Sequence, residues 1–342
     1  MNVLIRVDAG PKVGIGHFIR SFALAEGLKK EGHTVFFFGR FPKHLIALLK
    51  NKKIKAIILP KFRDLISEAR YIKNLAQKFG VYWIVLDGYS FNLSYQKELK
   101  QNDSFGLLCI DDTAHTRYEV NLLLNQNTSA DRKMYRGKFI GSVKLLLGPK
   151  YALLRKTFTK TKKRTSRYGI VRKILVTVGG GNFQPELIKV LKVIDSIQGC
   201  FEIHVLTSQM TQFNFKSKFK KRVLIHKNPK AYQIQKLMTR ADLAVSSAGS
   251  TAWELCCLGV PSVLFVLSKN QVGVATSLGQ AGVVVNLGWM KSLKPTKMKK
   301  VLTHLISNAK AREKMSRQGM KLVDGLGVKR VIEEMGLREG DK

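Results

Sequence analysis

The chain reads as an α/β protein of two Rossmann-like domains facing each other across a cleft. Three observations predict this. Apolar runs of strand length alternate with amphipathic helical segments from end to end, the pattern of parallel sheets with crossover helices. The alternation starts twice, each time with a strand that leads into glycines: residues 3–7 before Gly10, Gly14 and Gly16, and residues 174–178 before Gly179, Gly180 and Gly181. A length of 342 residues suits two domains of about 150 residues each.

In the first domain, residues 1–149, strands are expected at 3–7, 34–38, 54–59, 83–86, 106–110 and 122–124, with helices between most of them, as at 42–51 and 64–79. Residues 150–173 break the pattern. They hold a short helical signal at 152–158, then Thr- and Lys-rich sequence, carry ten Lys or Arg and no acid over the whole stretch, and read as the inter-domain connection. The second domain, 174–342, continues with strands at 174–178, 201–206, 223–225, 243–246, 262–267 and 283–286, and closes with basic helices from about 296 to 335.

Composition is ordinary for a globular protein, 45% hydrophobic and 24% charged. The cysteines, Cys109, Cys200, Cys256 and Cys257, lack zinc-type spacing. Buried, reduced thiols are the simplest account of them and favour the cytoplasm. The opening MNVLIRVD is a strand start without a signal-peptide core, and the longest apolar run, 255–267, contains Gly259 and Pro261 and is short of a membrane span. The outlier is charge: 60 Lys and Arg stand against 23 Asp and Glu, a net of +37. The excess is spread along the chain, +13 over residues 1–150 and +24 over residues 151–342. Such a surface suits a polyphosphate substrate, nucleic acid or peripheral association with an anionic membrane, or is simply a solvated basic surface, the simpler account. No RRM, KH, helix-turn-helix or zinc-finger pattern is present, so no dedicated nucleic-acid partner is expected.

Two constellations carry chemistry. The first follows the opening strand, in RVDAGPKVGIGHFIR. Ligands of open α/β sheets bind outside the carboxyl ends of the strands, so the loop through Gly14 and Gly16 is expected to deliver His17 to the rim of a site. The glycines fit neither common phosphate template: the third glycine of the dinucleotide fingerprint is here Ile19, and the P-loop Lys-Ser/Thr is here His17-Phe18. His17 is either a helix-start residue or a catalytic group. The second constellation follows the strand at 243–246, where Gly249, Ser250 and Thr251 open a helix whose free N–H groups suit a phosphate or diphosphate. Glu254, one turn on, either favours the helix start electrostatically or accepts ribose hydroxyls. The run Gly179–Gly181 implies close backbone approach to the same ligand. Asn270 and Gln271, at another strand end, suit sugar hydroxyls or are simply solvated. Asp87-Gly88-Tyr89 and Asp111-Asp112 also end strands, and no neighbouring residues complete a metal site there.

The segments RVDAGPKVGIGHFIR, IDDTAHTRYEVNLLLNQN, LLGPKYALLRKTF, VTVGGGN and SSAGSTAWELCCLGVPSVLFVLSKNQ recur in order from Met1 to about Gly288. Together they resemble the PseG family, UDP-2,4-diacetamido-2,4,6-trideoxy-β-L-altropyranose hydrolases of pseudaminic acid biosynthesis, and the related spore-coat polysaccharide protein SpsG. The resemblance implies a GT-B fold, with the nucleotide held by the second domain and the sugar facing the first. It implies an essential histidine at His17 followed by Arg20, a nucleotide-binding Glu254, a Gly-Ser-Thr turn at Gly249, Ser250 and Thr251, and an Asn-Gln pair at Asn270 and Gln271. Gly14, Gly16 and Gly180 line the substrate, and no cofactor or metal is implied. The implied reaction is hydrolysis of a UDP-sugar at the anomeric C–O bond, with His17 activating water and Asp8 and Tyr89 orienting the imidazole or the sugar. A glycosyltransferase on the same scaffold and a non-catalytic nucleotide-sugar binder are the alternatives. The chain departs from the family at Gly88, Asn121, Asn182 and Arg155-Lys156-Thr157-Phe158, where a histidine and several acids are usual.

Overall fold

The computed structural model describes residues 1–10, 13–101, 105–159, 169–179, 183–207 and 219–337. They divide into two compact units, 1–156 together with the C-terminal residues from Leu326, and 157–325.

In the first unit, strands β1 (Asn2–Val7), β2 (Thr34–Gly39), β3 (Lys55–Ile58), β4 (Val81–Asp87), β5 (Gly106–Ile110), β6 (Leu122–Asn125) and β7 (Lys144–Leu147) form one parallel sheet in the order β3-β2-β1-β4-β5-β6-β7. Helices α1 (Gly16–Lys30), α2 (Lys43–Asn51), α3 (Leu65–Lys78) and α4 (Leu93–Lys100) make the crossovers. The inner strands β1, β2, β4, β5 and β6 are buried on both faces along most of their length, as parallel strands covered by helices must be. Val3, Ile5 and Val7 of β1 pack with Phe18, Phe22 and Leu28 of α1, while Leu4 faces Ile72 of α3 and Leu99 of α4. Strand β7 was not expected. It is only four residues, KLLL, and its apolar run is too short to stand out from the surrounding turns.

The second unit begins at Thr157, inside the four-residue helix α5 (Lys156–Thr159). Its strands β8 (Lys173–Thr177), β9 (Glu202–Thr207), β10 (Val223–Lys227), β11 (Leu243–Ser247), β12 (Ser262–Val266) and β13 (Val284–Trp289) form a parallel sheet in the order β10-β9-β8-β11-β12-β13. Around it lie α6 (Gln184–Asp195), α7 (Ala231–Arg240), α8 (Thr251–Cys257), α9 (Val272–Gln280), α10 (Pro295–Ser307) and α11 (Ala309–Leu322).

The last helix, α12 (Gly327–Glu334), corrects the expected boundaries. It belongs with the first unit, not the second: Val331, Ile332 and Met335 enter the β1–α1 core, and the Trp83 indole N–H donates to the Met335 carbonyl at 2.9 Å. Gly327 is what allows the contact, since a Cβ there would stand 2.3 Å from the Ala152 carbonyl oxygen. The expected connection at 150–173 is corrected in the same way, because Tyr151 and Leu153 are core residues of the first unit. Of the helical signal at 152–158, only residues from Lys156 onward are helical, as α5. Cys109, Cys256 and Cys257 are buried and form no disulfide, but Cys200 is exposed, against expectation. No helix among the described residues is long and apolar enough to cross a membrane.

Candidate functional site

In each sheet the chain winds outward in one direction and then returns to the other side of its first strand. The resulting switch points, β1/β4 and β8/β11, are where ligands of open α/β sheets bind, beyond the strands' carboxyl ends. Both sequence constellations fall at these points.

In the first unit, β1 ends at Val7 and a tight loop follows, closed by reciprocal backbone hydrogen bonds between Gly10 and Gly14 at 3.2 and 2.7 Å. Gly14 takes φ +79°, which favours glycine. Helix α1 then starts at Gly16, with no side chain capping it. His17 is therefore not a cap. Its Nδ1 lies 2.6 Å from Oδ1 of Asp87, the last residue of β4, which register places beside Val7. Residues 17, 20 and 21 share one face of α1, and all three reach Asp87. Arg20 donates from Nε to Oδ2 at 2.9 Å and from Nη2 to Oδ1 at 2.6 Å, and Ser21 Oγ donates to Oδ2 at 2.8 Å. Nη1 of Arg20 bridges both oxygens of Asp112 at 2.7 and 3.0 Å, and Asp112 also accepts the Tyr89 hydroxyl at 3.1 Å. The half-exposed Tyr89 ring stands edge-on to His17, centroids 5.0 Å apart at 88°.

The electrostatics follow from burial and pairing. Burial opposes charge on Asp87, but Arg20 and His17 outweigh it and hold the carboxyl well below the usual range. Burial likewise opposes the Arg20 guanidinium, and Asp112 and Asp87 more than restore its charge. Since a carboxylate only accepts, Nδ1 of His17 is assigned the proton and Nε2 the lone pair. The 3.0 Å approach of Arg20 Nη2 to Nδ1 is then two donors sharing Asp87 Oδ1. Asp87 and Asp112 carry two negative charges against the one positive charge on Arg20, which leaves a net negative charge beside the His17 imidazole.

Asp8 is not part of this cluster. It pairs with Arg6 at 2.8 Å and accepts from the Arg40 backbone N–H at 2.8 Å, on the side of the sheet where Arg6 meets Glu68 of α3. Asp8 was expected to orient the imidazole or the sugar; the side chain that stands against the His17 imidazole is instead Asp87, and Asp112 and Ser21 complete the group. Asp111 is the turn-pinning acid, accepting from Thr113 N, Ala114 N and the Tyr135 hydroxyl.

In the second unit, β11 leads through Ala248, Gly249 and Ser250 into α8, and no side chain caps that helix. Gly179, after β8, takes φ +84° and lies close enough to β11 that a Cβ would stand 3.5 Å from Ser247 Oγ. Gly180, with Gly181 and Asn182, lies outside the described residues. Thr251 opens α8 and Glu254 is buried within it. After the paired strand β12, Gln271 Oε1 accepts the Leu267 N–H at 2.9 Å, which shapes the turn, while Asn270 is exposed and accepts from Ser268 at 2.5 Å. Gly179, Gly249, Ser250, Thr251, Asn270 and Gln271 thus share the carboxyl edge of the second sheet, as His17, Arg20 and Tyr89 share that of the first. Among the described residues no three His, Cys, Asp or Glu side chains gather to hold a metal ion.

Comparison with known proteins agrees with this architecture. Residues 173–331 match the glycosyltransferase family 28 C-terminal domain. The whole fold resembles MurG from Acinetobacter baumannii, TM-score 0.69 at 14% identity over 98% of this chain and 99% of that one. It also resembles a Staphylococcus aureus MnaA–UDP co-structure, TM-score 0.67 at 12% identity over 97% and 94%. The chain thus has a GT-B-type fold, two Rossmann-like domains each built on a parallel sheet. In sequence it is 23% identical over 337 residues to the spore coat polysaccharide biosynthesis protein SpsG of Bacillus subtilis (strain 168), covering 97% of this chain and 96% of that protein.

Proposed function

We propose that the protein acts on a UDP-sugar, with His17 as general base for the hydroxyl that attacks the anomeric carbon. The observation that carries this is the His17–Asp87 pair inside the buried Arg20–Asp112 cluster, at the switch point of the first sheet. Nε2 takes the proton from the attacking hydroxyl as its oxygen bonds to the anomeric carbon. The bond from that carbon to the diphosphate breaks, and UDP leaves with the electron pair. Asp87 keeps the imidazole in the required tautomer and stabilises the imidazolium, as in other His–Asp pairs. In the second unit, taken by itself, the backbone N–H groups at Gly249–Thr251 suit a diphosphate and Glu254 suits ribose hydroxyls. The MnaA–UDP structure, on a similar fold, supports a uridine nucleotide.

The favoured nucleophile is an acceptor alcohol, because the family 28 match and the MurG-like fold are glycosyltransferase features. A second reading has water as nucleophile, releasing UDP and a free diacetamido-trideoxyhexose. The PseG-like segments around His17 and Ser250 favour it.

A panel of UDP-sugars, assayed by NMR with and without soluble and lipid-linked acceptors, separates the two. UDP release that requires an acceptor establishes transfer. Free sugar without an acceptor establishes hydrolysis. No UDP from any donor under either condition overturns both. The His17→Ala variant should lose nearly all UDP release while still binding UDP, and unchanged turnover in it would remove His17 from the mechanism.

A further inference from the structure

A second histidine stands against the same tyrosine. The Tyr89 ring lies between two imidazoles, His17 at 5.0 Å and His115 at 5.8 Å, each nearly perpendicular to it. His115 sits in the turn after β5 that Asp111 pins. Both of its ring nitrogens face acceptors: Nδ1 is 3.3 Å from Asp111 Oδ1, and Nε2 is 2.9 Å from the Tyr89 carbonyl oxygen. A carboxylate and a carbonyl can only accept. A neutral ring has one proton and turns a lone pair toward one of them. The Thr113 hydroxyl, 3.2 Å from Nδ1, can donate to a neutral ring protonated at Nε2, but the bond to Asp111 is then lost. Only the imidazolium serves both acceptors.

We propose that His115 is a positioning residue for the His17 site: its doubly donating imidazolium ties the Tyr89 backbone to the Asp111 turn. That tie keeps the Tyr89 ring edge-on to His17 and its hydroxyl on Asp112. The inference rests on the reading of His17 as the base. The charged and titratable groups facing His115 are Asp111 on its own turn, Lys138, whose ammonium donates to the Ala114 carbonyl, and Tyr89, with His17 and Asp112 beyond it. The hydrogen bond to Asp111 raises the His115 pKa above its usual value, against burial and Lys138. Below that pKa the tie is intact. As pH rises through it, one of the two hydrogen bonds is lost and Tyr89 loosens.

The test combines kinetics with NMR of the substrate-free protein carrying ring-labelled histidine and tyrosine. In the wild type, the Tyr89 ring resonance should shift at the same pH midpoint as His115, and kcat for UDP release should fall through that midpoint. Thr113→Val removes the hydroxyl that stabilises the neutral ring and should move both midpoints to higher pH. His115→Gln should lower kcat about tenfold with little change in KM and lose that alkaline limb, because misplacement of a site group is paid in kcat. A Tyr89 resonance indifferent to His115 titration, or an alkaline limb unchanged in His115→Gln, overturns the proposal. If no UDP-sugar is turned over, the functional reading has failed, and the NMR titrations of the wild type and Thr113→Val still decide whether the tie exists.

Discussion

Asp87 is the residue on which the first site turns. It is buried and accepts from His17, Arg20 and Ser21 together. An amide cannot take its place, since it offers one acceptor oxygen and brings a donor toward Arg20. Asp87→Asn should therefore lower UDP release by about 10²-fold or more, the range of general-base effects, with UDP binding retained. The measurement is kcat with binding followed separately by calorimetry. Asp111 acts on stability. Burial opposes its charge, but hydrogen bonds from His115, Tyr135 and the turn outweigh that and bring its pKa down to about 2. A carboxylate depressed in the folded state stabilises the protein above its unfolded pKa of about 4, and this is lost as pH falls toward the folded value. Urea midpoints should fall between pH 5 and pH 3 less steeply in Asp111→Asn than in the wild type. His17 was legible because glycines and a strand end surround it. Its partner was not, because Asp87 becomes a neighbour only through the parallel pairing of β4 with β1, seventy residues along the chain from His17 to Asp87, and strand order is not written in the local pattern.

At the scale of elements, most strands were readable because parallel strands are long apolar runs without alternation. The elements that escaped are those whose signal is weak or shared. Strand β7 has four residues, and α12, GVKRVIEE, looks like any other surface helix of the basic C-terminal series. What sets α12 apart is where its apolar residues go. Its docking depends on Gly327 against the 151–152 backbone and on Gly27 against Val328, where a Cβ would meet Cγ1 at 2.3 Å. Backbone does not yield as a flexible side chain does. Gly327→Ala should cost about 1–3 kcal/mol and lower the thermal midpoint of the first unit, while unfolding of the second unit, followed by separate probes, stays unchanged.

For the whole molecule, charge is the property no single site absorbs. A net of +37 far exceeds what one diphosphate requires. Residues 255–312 contain no acid, and the lysines opening α10, Lys297, Lys299 and Lys300, are exposed. The protein should sediment with vesicles carrying anionic lipid at low salt, release as salt rises, and ignore zwitterionic vesicles. Failure to bind anionic vesicles at low salt would leave the charge as a solvated surface.

The return of the chain to its first unit has a consequence for how the protein is made. Translation delivers residues 1–156 early, with their seven strands ready to pair. Val331, Ile332 and the Met335 carbonyl that receives the Trp83 indole emerge only after the second unit. The unit begun first is thus completed only after the second: while the ribosome assembles residues 157–325, the nascent α1 helix keeps an uncovered apolar face, and α12 covers it only once it has been synthesised.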